Sequence, residues 1–292
     1  MHLDKPTRDF IRLALNEDIG ERDVTTFYSV KPGTKGEAVI LSRNEGVICG
    51  IDILRETMLM VNGELAFKVF KKDGSRIKKD DVVISVRGDL ADILTAERVA
   101  VNFLSILSGV ATTTRQFVDK VEGTGVTILD TRKTTPGMRL MEKYAVRIGG
   151  ATNHRKGLYD GIIIKDNHLR AAGILVNGKV DGNRVKEVMH DLRTSTGFKV
   201  EIEVETVEEF KKVAADKPEI VMLDNFSLKA IRHAVKYHDA HAPRIKLEVS
   251  GGVNLKNVRK IALTGVDFIS IGSITHSPKA FDFSLEIAKV YN

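Results

Sequence analysis

Residues 200–252 read VEIEVETVEEFKKVAADKPEIVMLDNFSLKAIRHAVKYHDAHAPRIKLEVSGG, and this stretch shows one pattern that is repeated along the chain. A run of apolar and β-branched residues ends in a polar residue or a glycine, and an amphipathic segment follows it. Such a pair predicts a strand and then a helix. Its repetition predicts a parallel sheet with helices packed against it.

The same pattern covers the second half of the chain. Polar residues at helix starts support it, because their side chains accept hydrogen bonds from unpaired backbone N–H groups. The expected capping residues are Asn183, Thr206, Ser227 and Asn254, and Glu209 completes a capping box with Thr206. The expected strands are residues 126–129, 162–164, 200–204, 220–223, 245–249 and 268–271.

The first hundred residues predict a separate α+β layer. A short helix is expected over residues 7–16, followed by strands over residues 37–41, 65–70 and 82–86. A long helix over residues 91–121, broken near Gly109, then leads into the first strand of the parallel sheet.

Composition limits the class of protein. At 292 residues, the chain predicts one large α/β barrel or two domains. Its 45 basic and 39 acidic residues are scattered, so the net charge of +6 supports a nucleic-acid surface weakly and fits acidic small substrates equally well. A single cysteine, Cys49, excludes an internal disulfide. The charged amino terminus and the lack of an apolar run of about 18 residues predict a soluble, cytoplasmic protein without a membrane span.

Polar residues recur where the expected parallel strands end. In a (β/α) barrel these ends converge on one face and form the active site, so the recurrence predicts a catalytic face there. Each residue taken alone is equally explained as a helix cap or a solvated loop. The strand ends are Asp130-Thr-Arg-Lys, Lys165-Asp-Asn-His, Asp224-Asn, Ser250-Gly-Gly and Gly272-Ser, with Glu203 near the end of its strand.

Residues 130–168 carry eight Lys or Arg against four acidic residues, together with two histidines, which indicates an anion site. Guanidinium and imidazole donors suit carboxylates, whereas lysine is a compact charge that suits phosphate. The candidates of the first kind are Arg132, His154 and Arg155, and those of the second are Lys133 and Lys165.

Two further groups complete the candidate site. Glycines after the last two strands let backbone N–H groups approach a phosphate. Glu203 and Asp224 lie 21 residues apart, about one strand-helix-strand step, so both can face one pocket and bind sugar hydroxyls or a divalent ion. The alternative is that one of them pairs with a neighbouring lysine. P-loop, dinucleotide, zinc and nucleophile-elbow motifs are absent, which favours electrostatic clamping without a covalent nucleophile.

Seven motifs in order, DTRKTTPG, EKYAVRIGGATNHR, IIIKDNH, EIEVE, MLDNFS, EVSGG and GSITHS, resemble the quinolinate phosphoribosyltransferase family, the decarboxylating type II nicotinate-nucleotide pyrophosphorylases. The resemblance covers essentially the whole chain, since ALNEDIGERDVTT and TAERVAVNFLSILSGVATTT also match. Ala151 and Arg22 stand where the family pattern more often has glycine.

The resemblance implies an α/β fold with an incomplete (β/α) barrel over residues 111–275 and an amino-terminal α/β sandwich domain over residues 1–110, rejoined by about residues 276–292. It implies a homodimer with sites at the subunit boundary, a higher oligomer remaining open, and no nucleic-acid or membrane partner. The substrates are expected to be quinolinate and phosphoribosyl pyrophosphate, with Mg²⁺ as the metal ion.

The resemblance also implies a role for each matching residue. Arg98 is expected to reach the neighbouring subunit's site. Residues expected to hold the pyridine dicarboxylate are Arg132, His154, Arg155 and Lys165. Residues expected to face phosphoribosyl pyrophosphate and its magnesium are Lys133, Glu203 and Asp224. Those expected to cradle the 5-phosphate are Ser250, Gly251, Gly252, Ile271, Gly272 and Ser273. Thr131 is a further expected substrate contact, and the expected catalytic residues are Lys133, Lys165, Glu203 and Asp224.

Three alternatives remain at this point. A type II nicotinate phosphoribosyltransferase shares the fold but accepts a monocarboxylate and releases no CO₂. A relative associated with molybdenum uptake belongs to the same superfamily. A phosphate-binding or nucleic-acid-binding module without catalysis explains the charge but leaves the paired Glu203 and Asp224 unexplained.

Overall fold

The computed structural model describes residues 3–176 and 179–291. The chain divides into two compact units. The first contains the chain up to Arg115, Lys133–Gly150 and the chain from Ser273 onward, and the second contains Gln116–Arg132 and Ala151–Gly272. Residues 133–150, which were expected within the barrel domain, therefore lie in the first unit.

The helices and strands of the described residues alternate as the sequence pattern predicts in the second half and are mixed in the first. In chain order they are α1 (Lys5–Ile19), α2 (Val24–Ser29), β1 (Lys35–Ser42), β2 (Gly46–Val47), α3 (Ile51–Val61), β3 (Ala66–Val69), β4 (Arg76–Ile77), β5 (Val82–Asp89), α4 (Leu90–Val121), β6 (Thr127–Leu129), α5 (Arg139–Ile148), β7 (Ile162–Ile164), α6 (Asp166–Ala171), β8 (Leu175–Val176), β9 (Lys179–Val180), α7 (Gly182–Ser195), β10 (Val200–Val204), α8 (Val207–Ala214), β11 (Ile220–Asp224), α9 (Leu228–His241), β12 (Lys246–Ser250), α10 (Val258–Ala262), β13 (Phe268–Ser270), α11 (Ser273–His276) and β14 (Phe283–Tyr291).

The first unit is built on a four-stranded antiparallel sheet in the order β14-β1-β5-β3. Strand β1 alternates buried and more exposed residues, as expected for a strand with one face on a core. The core behind it includes Ile40, Ile84 and Leu104. The last strand, β14, pairs with β1 from the far end of the sequence, so both ends of the chain contribute to this sheet.

Helix α4 runs without interruption from Leu90 to Val121, so the break expected near Gly109 was wrong. A Cβ atom at Gly109 would lie 2.4 Å from the carbonyl oxygen of Lys279. Glycine is present there because a neighbouring segment packs against the helix backbone, and the lost helix propensity is tolerated. The helix is also long and apolar enough to cross a membrane, with a mean hydropathy of 1.4 over 18 residues, although no membrane span was expected. That window is 61% buried within the protein, and core helices meet the same two criteria.

The second unit contains a six-stranded parallel sheet in the order β6-β13-β12-β11-β10-β7. Strands β6 and β7 stand at the two ends of this order, so the sheet is open, in agreement with the incomplete barrel that the family resemblance implied. All six predicted strands are present, each within one residue of its expected ends. The apolar runs were sufficient to find them because strands of parallel sheets are buried on both faces.

The capping residues were predicted with partial success. Thr206 and Ser227 cap α8 and α9 through their side-chain oxygens. The predictions for Asn183 and Asn254 were wrong, because Asp181 caps α7 and Asn257 precedes α10. In both cases several polar residues stand close together near the helix start, and the sequence does not say which of them closes the first turn.

Candidate active site

Asp130 directly follows β6 and is fully buried. Its carboxylate accepts a hydrogen bond of 2.7 Å from the backbone N–H of His154 and one of 2.9 Å from the side-chain amide of Asn153. Asp130 therefore holds the segment that carries His154 against the end of the sheet.

The imidazole of His154 has a hydrogen-bond partner at each ring nitrogen. Its Nδ1 accepts the backbone N–H of Arg155 at 2.7 Å. Its Nε2 lies 3.1 Å from Glu201 Oε2 and 3.5 Å from Glu248 Oε2. A backbone N–H is always a donor, so in this conformation Nδ1 is the acceptor and Nε2 carries the ring hydrogen.

Sequence reasoning missed Glu201 and Glu248. Both are almost completely buried, 3% and 0% exposed, and the hydroxyl of Ser270 donates a short hydrogen bond to Glu248. Strand periodicity contained the signal, because Glu201 shares a strand face with Glu203 two residues later and Glu248 shares one with Ser250. A carboxylate inside an otherwise apolar strand is uncommon unless it has a partner.

Burial shifts the pKa values of this cluster. Desolvation lowers the pKa of His154, but hydrogen bonds to and charges on Glu201 and Glu248 outweigh it and raise it to about 10. The carboxylates thus favour the imidazolium, whereas the hydrogen bond that Nδ1 accepts from the Arg155 N–H is possible only for the neutral ring. We follow this bond, which gives a neutral imidazole with its hydrogen on Nε2. Burial raises the pKa of Glu201, and the charge of Glu248 acts in the same direction, while the bond with His154 lowers it.

Lys165 and Glu203 form an ion pair with a distance of 2.9 Å between Nζ and Oε2. Glu203 is buried on β10, while the lysine side chain is 44% exposed. The alternative that one of the two candidate carboxylates pairs with a lysine is therefore realised for Glu203. The other, Asp224, ends β11 and accepts a hydrogen bond of 2.7 Å from the side chain of Asn225.

Arg132 and Arg155 are half-buried cations in the same unit. Burial lowers the pKa of Arg155, the positive charge of Arg132 lowers it further, and Glu201 opposes both. Arg155 Nη1 donates a hydrogen bond of 2.9 Å to the carbonyl of Gly161, which fixes one end of its guanidinium. Two guanidinium groups held within electrostatic range of each other are well suited to a dianion.

The Ser250-Gly251-Gly252 turn begins at the last residue of β12. Gly251 has a φ of 85°, and a Cβ atom there would lie 2.2 Å from Asn225 Oδ1. The backbone N–H of Asn225 donates to the Ser250 carbonyl at 2.9 Å, so the ends of β11 and β12 are joined at this turn. Glycine is required both for the backbone conformation and for the close approach of Asn225.

The remaining predicted residues differ in their surroundings. The Ile271 N–H is used in the sheet, where it donates to the Leu129 carbonyl at 3.0 Å. Gly272 and Thr131 lie in the second unit and are half-buried. Lys133 and Ser273 lie in the first unit, where the Thr275 hydroxyl donates to the Lys133 carbonyl at 2.7 Å.

Arg98 lies in the first unit on α4, where its side chain is 62% exposed and Nη2 is 3.6 Å from Glu97. Its role at a neighbouring subunit stays a prediction. Ala151, which stands in place of a more frequent glycine, is 8% exposed and opens the segment that leads to His154.

Comparison with known proteins matches both parts of the chain to one family. Residues 23–108 match "Quinolinate phosphoribosyl transferase, N-terminal domain", and residues 110–286 match "Quinolinate phosphoribosyl transferase, C-terminal domain". The chain belongs to the quinolinate phosphoribosyltransferase family. The resemblance predicted from the sequence motifs is thereby confirmed.

Curated relatives agree with this assignment. Over 283 residues, the chain is 38% identical to the "Nicotinate-nucleotide pyrophosphorylase [carboxylating]" of Mycobacterium leprae, covering 96% of each chain. Over 273 residues it is 39% identical to a probable enzyme of the same name from Bacillus subtilis, covering 93% of this chain and 90% of the relative.

Solved structures show the same fold. The nicotinate-nucleotide pyrophosphorylase from Ehrlichia chaffeensis is 38% identical, with a TM-score of 0.88, and the alignment covers 98% of this chain and all of that one. Human nicotinic acid phosphoribosyltransferase is 12% identical with a TM-score of 0.61, over 99% of this chain and 75% of that one, and shares the fold alone.

Proposed function

We propose that this protein transfers the phosphoribosyl group of phosphoribosyl pyrophosphate to quinolinate and releases pyrophosphate and CO₂, giving nicotinate mononucleotide for NAD biosynthesis. The observation that carries the proposal is that two half-buried arginines, Arg132 and Arg155, lie within electrostatic range of each other in a member of this family. The curated relatives carry "carboxylating" in their name, and a pyrophosphorylase named for adding CO₂ releases it in the synthetic direction.

The cations favour a dicarboxylate over a monocarboxylate. Burial lowers the pKa of Arg155, and the positive charge of Arg132 lowers it further, because the two guanidinium groups repel each other. A half-buried cation pair is costly unless an anion compensates it. Quinolinate offers two carboxylates for two guanidinium groups, whereas nicotinate offers one. His154 belongs to the same group of residues, and Lys165 contributes a further positive charge beside Glu203.

The phosphoribosyl half of the site lies at the neighbouring strand ends. The Ser250-Gly251-Gly252 turn offers close backbone approach for the 5-phosphate, with Gly272 after the next strand. Glu203 and Asp224 are oxygen donors at two neighbouring strands, a set that fits Mg²⁺, which prefers a few carboxylates together with substrate phosphates. When bound, this ion would neutralise the charge of the pyrophosphate leaving group.

The residues of the chain then act by position and charge. The clamp of Arg132 and Arg155 orients quinolinate so that its ring nitrogen faces the anomeric carbon of the ribose. A bond forms between these two atoms as the bond from the anomeric carbon to pyrophosphate breaks. CO₂ leaves from the carboxylate next to the ring nitrogen, whose new positive charge stabilises the electron pair left on the ring carbon. That carbon then takes up a proton from solvent water, which gives nicotinate mononucleotide. In this scheme Lys165 balances charge on the phosphates, and the family motif assigns the same kind of role to Lys133.

The proposed function also includes an oligomeric state and a cellular compartment. The protein acts as a cytoplasmic homodimer whose sites are completed across the subunit boundary, with Arg98 as the residue contributed by the neighbour. Its exposure and its motif in the family pattern support this assignment. The substrates are small anions, with neither nucleic acid nor membrane as a partner.

The test offers quinolinate and nicotinate separately, each with phosphoribosyl pyrophosphate and Mg²⁺, and follows mononucleotide and CO₂ by chromatography and radiolabel. We expect mononucleotide and an equal amount of CO₂ from quinolinate. Formation of mononucleotide from nicotinate alone contradicts the proposal and favours the nicotinate enzyme. Salt-dependent binding of nucleic acid without pyrophosphate release favours the module without catalysis.

An arginine variant connects the activity to the clamp. We expect Arg132→Ala to lower kcat/KM for quinolinate by about 100-fold or more, because a charge-assisted contact to a carboxylate is lost in a partly buried site. Arg184→Ala is the matched control, since this exposed residue of α7 bonds to Glu187 and to the Ala172 carbonyl. Unchanged turnover by Arg132→Ala at subsaturating quinolinate would show that the clamp is assigned wrongly.

A further inference from the structure

The His154 ring accepts a hydrogen bond at Nδ1 and donates one from Nε2. The Arg155 N–H donates to Nδ1 at 2.7 Å, Nε2 lies 3.1 Å from Glu201, and the Ser270 hydroxyl donates to Glu248 on the other side. Both ring nitrogens are thus engaged by groups of the chain itself. In this arrangement the imidazole has no ring N–H left to offer to a substrate carboxylate.

The three groups also have the spacing of a metal site, since one ligand atom each from His154, Glu201 and Glu248 lies within 4.8 Å of the others. The Arg155 N–H argues for hydrogen bonding instead. A histidine that binds a metal through Nε2 donates its Nδ1 hydrogen to an outer partner. Here Nδ1 accepts, so Nε2 carries the hydrogen and points it at the carboxylates.

Arg155 is the residue through which this cluster reaches the site. Its backbone is held by the His154 ring, and its guanidinium is held by the Gly161 carbonyl at 2.9 Å. Fixing the imidazole therefore fixes the peptide unit from which the guanidinium extends. Outer hydrogen bonds of this kind commonly orient the groups that contact a ligand.

We propose that Glu201 is a positioning residue that accepts the Nε2 hydrogen of His154, with Glu248 adding its charge 3.5 Å away, and that His154 in turn holds Arg155 in place for one carboxylate of quinolinate. This inference rests on the proposed function and assigns His154 to support of the clamp instead of direct substrate contact. Both carboxylates are buried, so water does not reach them to bond with Nε2–H in their place.

Kinetics of Glu201 variants test the acceptor role. We expect Glu201→Leu to raise the KM for quinolinate about tenfold, with kcat and the KM for phosphoribosyl pyrophosphate within about twofold. Glu201→Gln retains an oxygen that can accept from Nε2–H, so it should recover most of the loss. An unchanged KM for quinolinate in folded Glu201→Leu overturns the proposal.

A double variant separates action through Arg155 from general damage. If Glu201 acts through Arg155, then Glu201→Leu should add no further increase in KM to that of Arg155→Ala. Independent, multiplicative effects of the two changes overturn the proposal. Thermal unfolding of each variant confirms that the kinetics report folded protein.

Glu219→Leu is the matched control. Glu219 precedes β11 and accepts the backbone N–H of Val200 at 2.7 Å, at the opposite end of β10 from Glu203. The same chemical change there removes a carboxylate hydrogen bond at the start of β10, where it does not involve His154. We expect it to alter stability while both KM values stay unchanged.

A spectroscopic measurement reads the protonation of the His154 ring directly in the unaltered protein. In protein with ¹⁵N-labelled histidine, long-range ¹H–¹⁵N spectra distinguish protonated from unprotonated ring nitrogens, and His154→Asn assigns the signals. We expect an unprotonated Nδ1 and a protonated Nε2 in the absence of substrate. A protonated Nδ1 overturns the proposal even if quinolinate is turned over. Lack of quinolinate turnover by the unaltered protein contradicts the proposed function, and with it the role of the cluster in quinolinate binding.

Discussion

Single residues in the second unit show that charge alone does not assign a role. Asp130 is acidic and near the site, yet its oxygens tie down the backbone of His154 and the side chain of Asn153. Glu203 is paired with Lys165, whereas Glu201, two residues earlier on the same strand, faces a histidine. Carboxylates on one face of a strand thus have different roles, because their positions along the strand bring them beside different partners.

Gly251 offers a prediction at this scale. Gly251→Ala introduces a Cβ 2.2 Å from Asn225 Oδ1 at a backbone φ of 85°, so Asn225 must leave its hydrogen bond with Asp224. We expect a loss of about 1–3 kcal/mol in the free energy of unfolding and a rise of about tenfold in the KM for phosphoribosyl pyrophosphate. Denaturant titration and steady-state kinetics measure the two effects.

The control for Gly251 is Gly197→Ala. A Cβ atom at Gly197 meets no atom within 4 Å, and its φ is outside the left-handed region. We expect neither stability nor KM to change measurably. Equal behaviour of the two alanine variants would show that the turn tolerates a side chain and does not approach the sugar phosphate.

At the scale of elements, α4 shows how packing can override a local preference. Gly109 lies inside a continuous helix because the Lys279 carbonyl would be 2.4 Å from a Cβ atom. We expect Gly109→Ala to destabilise the protein by about 1–3 kcal/mol, although alanine is the better helix former. The midpoint of guanidinium unfolding measures the change.

Gly182→Ala provides the opposite case. Gly182 is the first residue of α7, and no atom lies within 4 Å of a Cβ placed there. We expect it to leave stability unchanged or raise it by up to about 1 kcal/mol. Stabilisation of the protein by both alanine variants would contradict the packing explanation for Gly109.

Helix α2 gives a pH prediction. Asp23 caps it, and hydrogen bonds from Thr26 lower its folded-state pKa below 3.8. Its charge therefore stabilises the folded protein above about pH 4, and this contribution is lost as the pH falls through the lower folded-state pKa. Asp23→Asn keeps a capping oxygen but does not titrate. We expect it to be about 0.5 kcal/mol less stable at pH 7, with the gap closing as the pH falls in denaturant titrations.

At the scale of the whole molecule, the proposed shared site predicts complementation between inactive variants. In a homodimer, a hybrid of Arg98→Ala and Arg132→Ala subunits has one site with both arginines and one with neither. Random exchange should restore about a quarter of the activity of the unaltered protein. Subunits mixed after reversible dissociation are assayed beside each variant alone, and light scattering should give about twice the chain mass of 32.3 kDa. No recovery in verified hybrids would place Arg98 outside the neighbouring site.

Much of the fold and part of the site could be predicted from the sequence. The parallel strands were found because each is a short apolar run bounded by polar residues, a local signal that burial on two faces produces. The Ser250-Gly251-Gly252 turn was recognised because glycine preference is also local. The pairing of Lys165 with Glu203 remained one of two alternatives, because a contact over 38 residues depends on the register of two strands.

By itself, the sequence determined the succession of strands and helices, the residues at the strand ends and the family, because all three depend on composition and order along the chain. Tertiary structure alone decided that α4 is unbroken, that residues 133–150 lie in the first unit, and that Glu201 and Glu248 meet His154. These outcomes depend on which surfaces meet in space and on which side of each strand a carboxylate faces. Such contacts join residues that are far apart in sequence, so no local pattern records them.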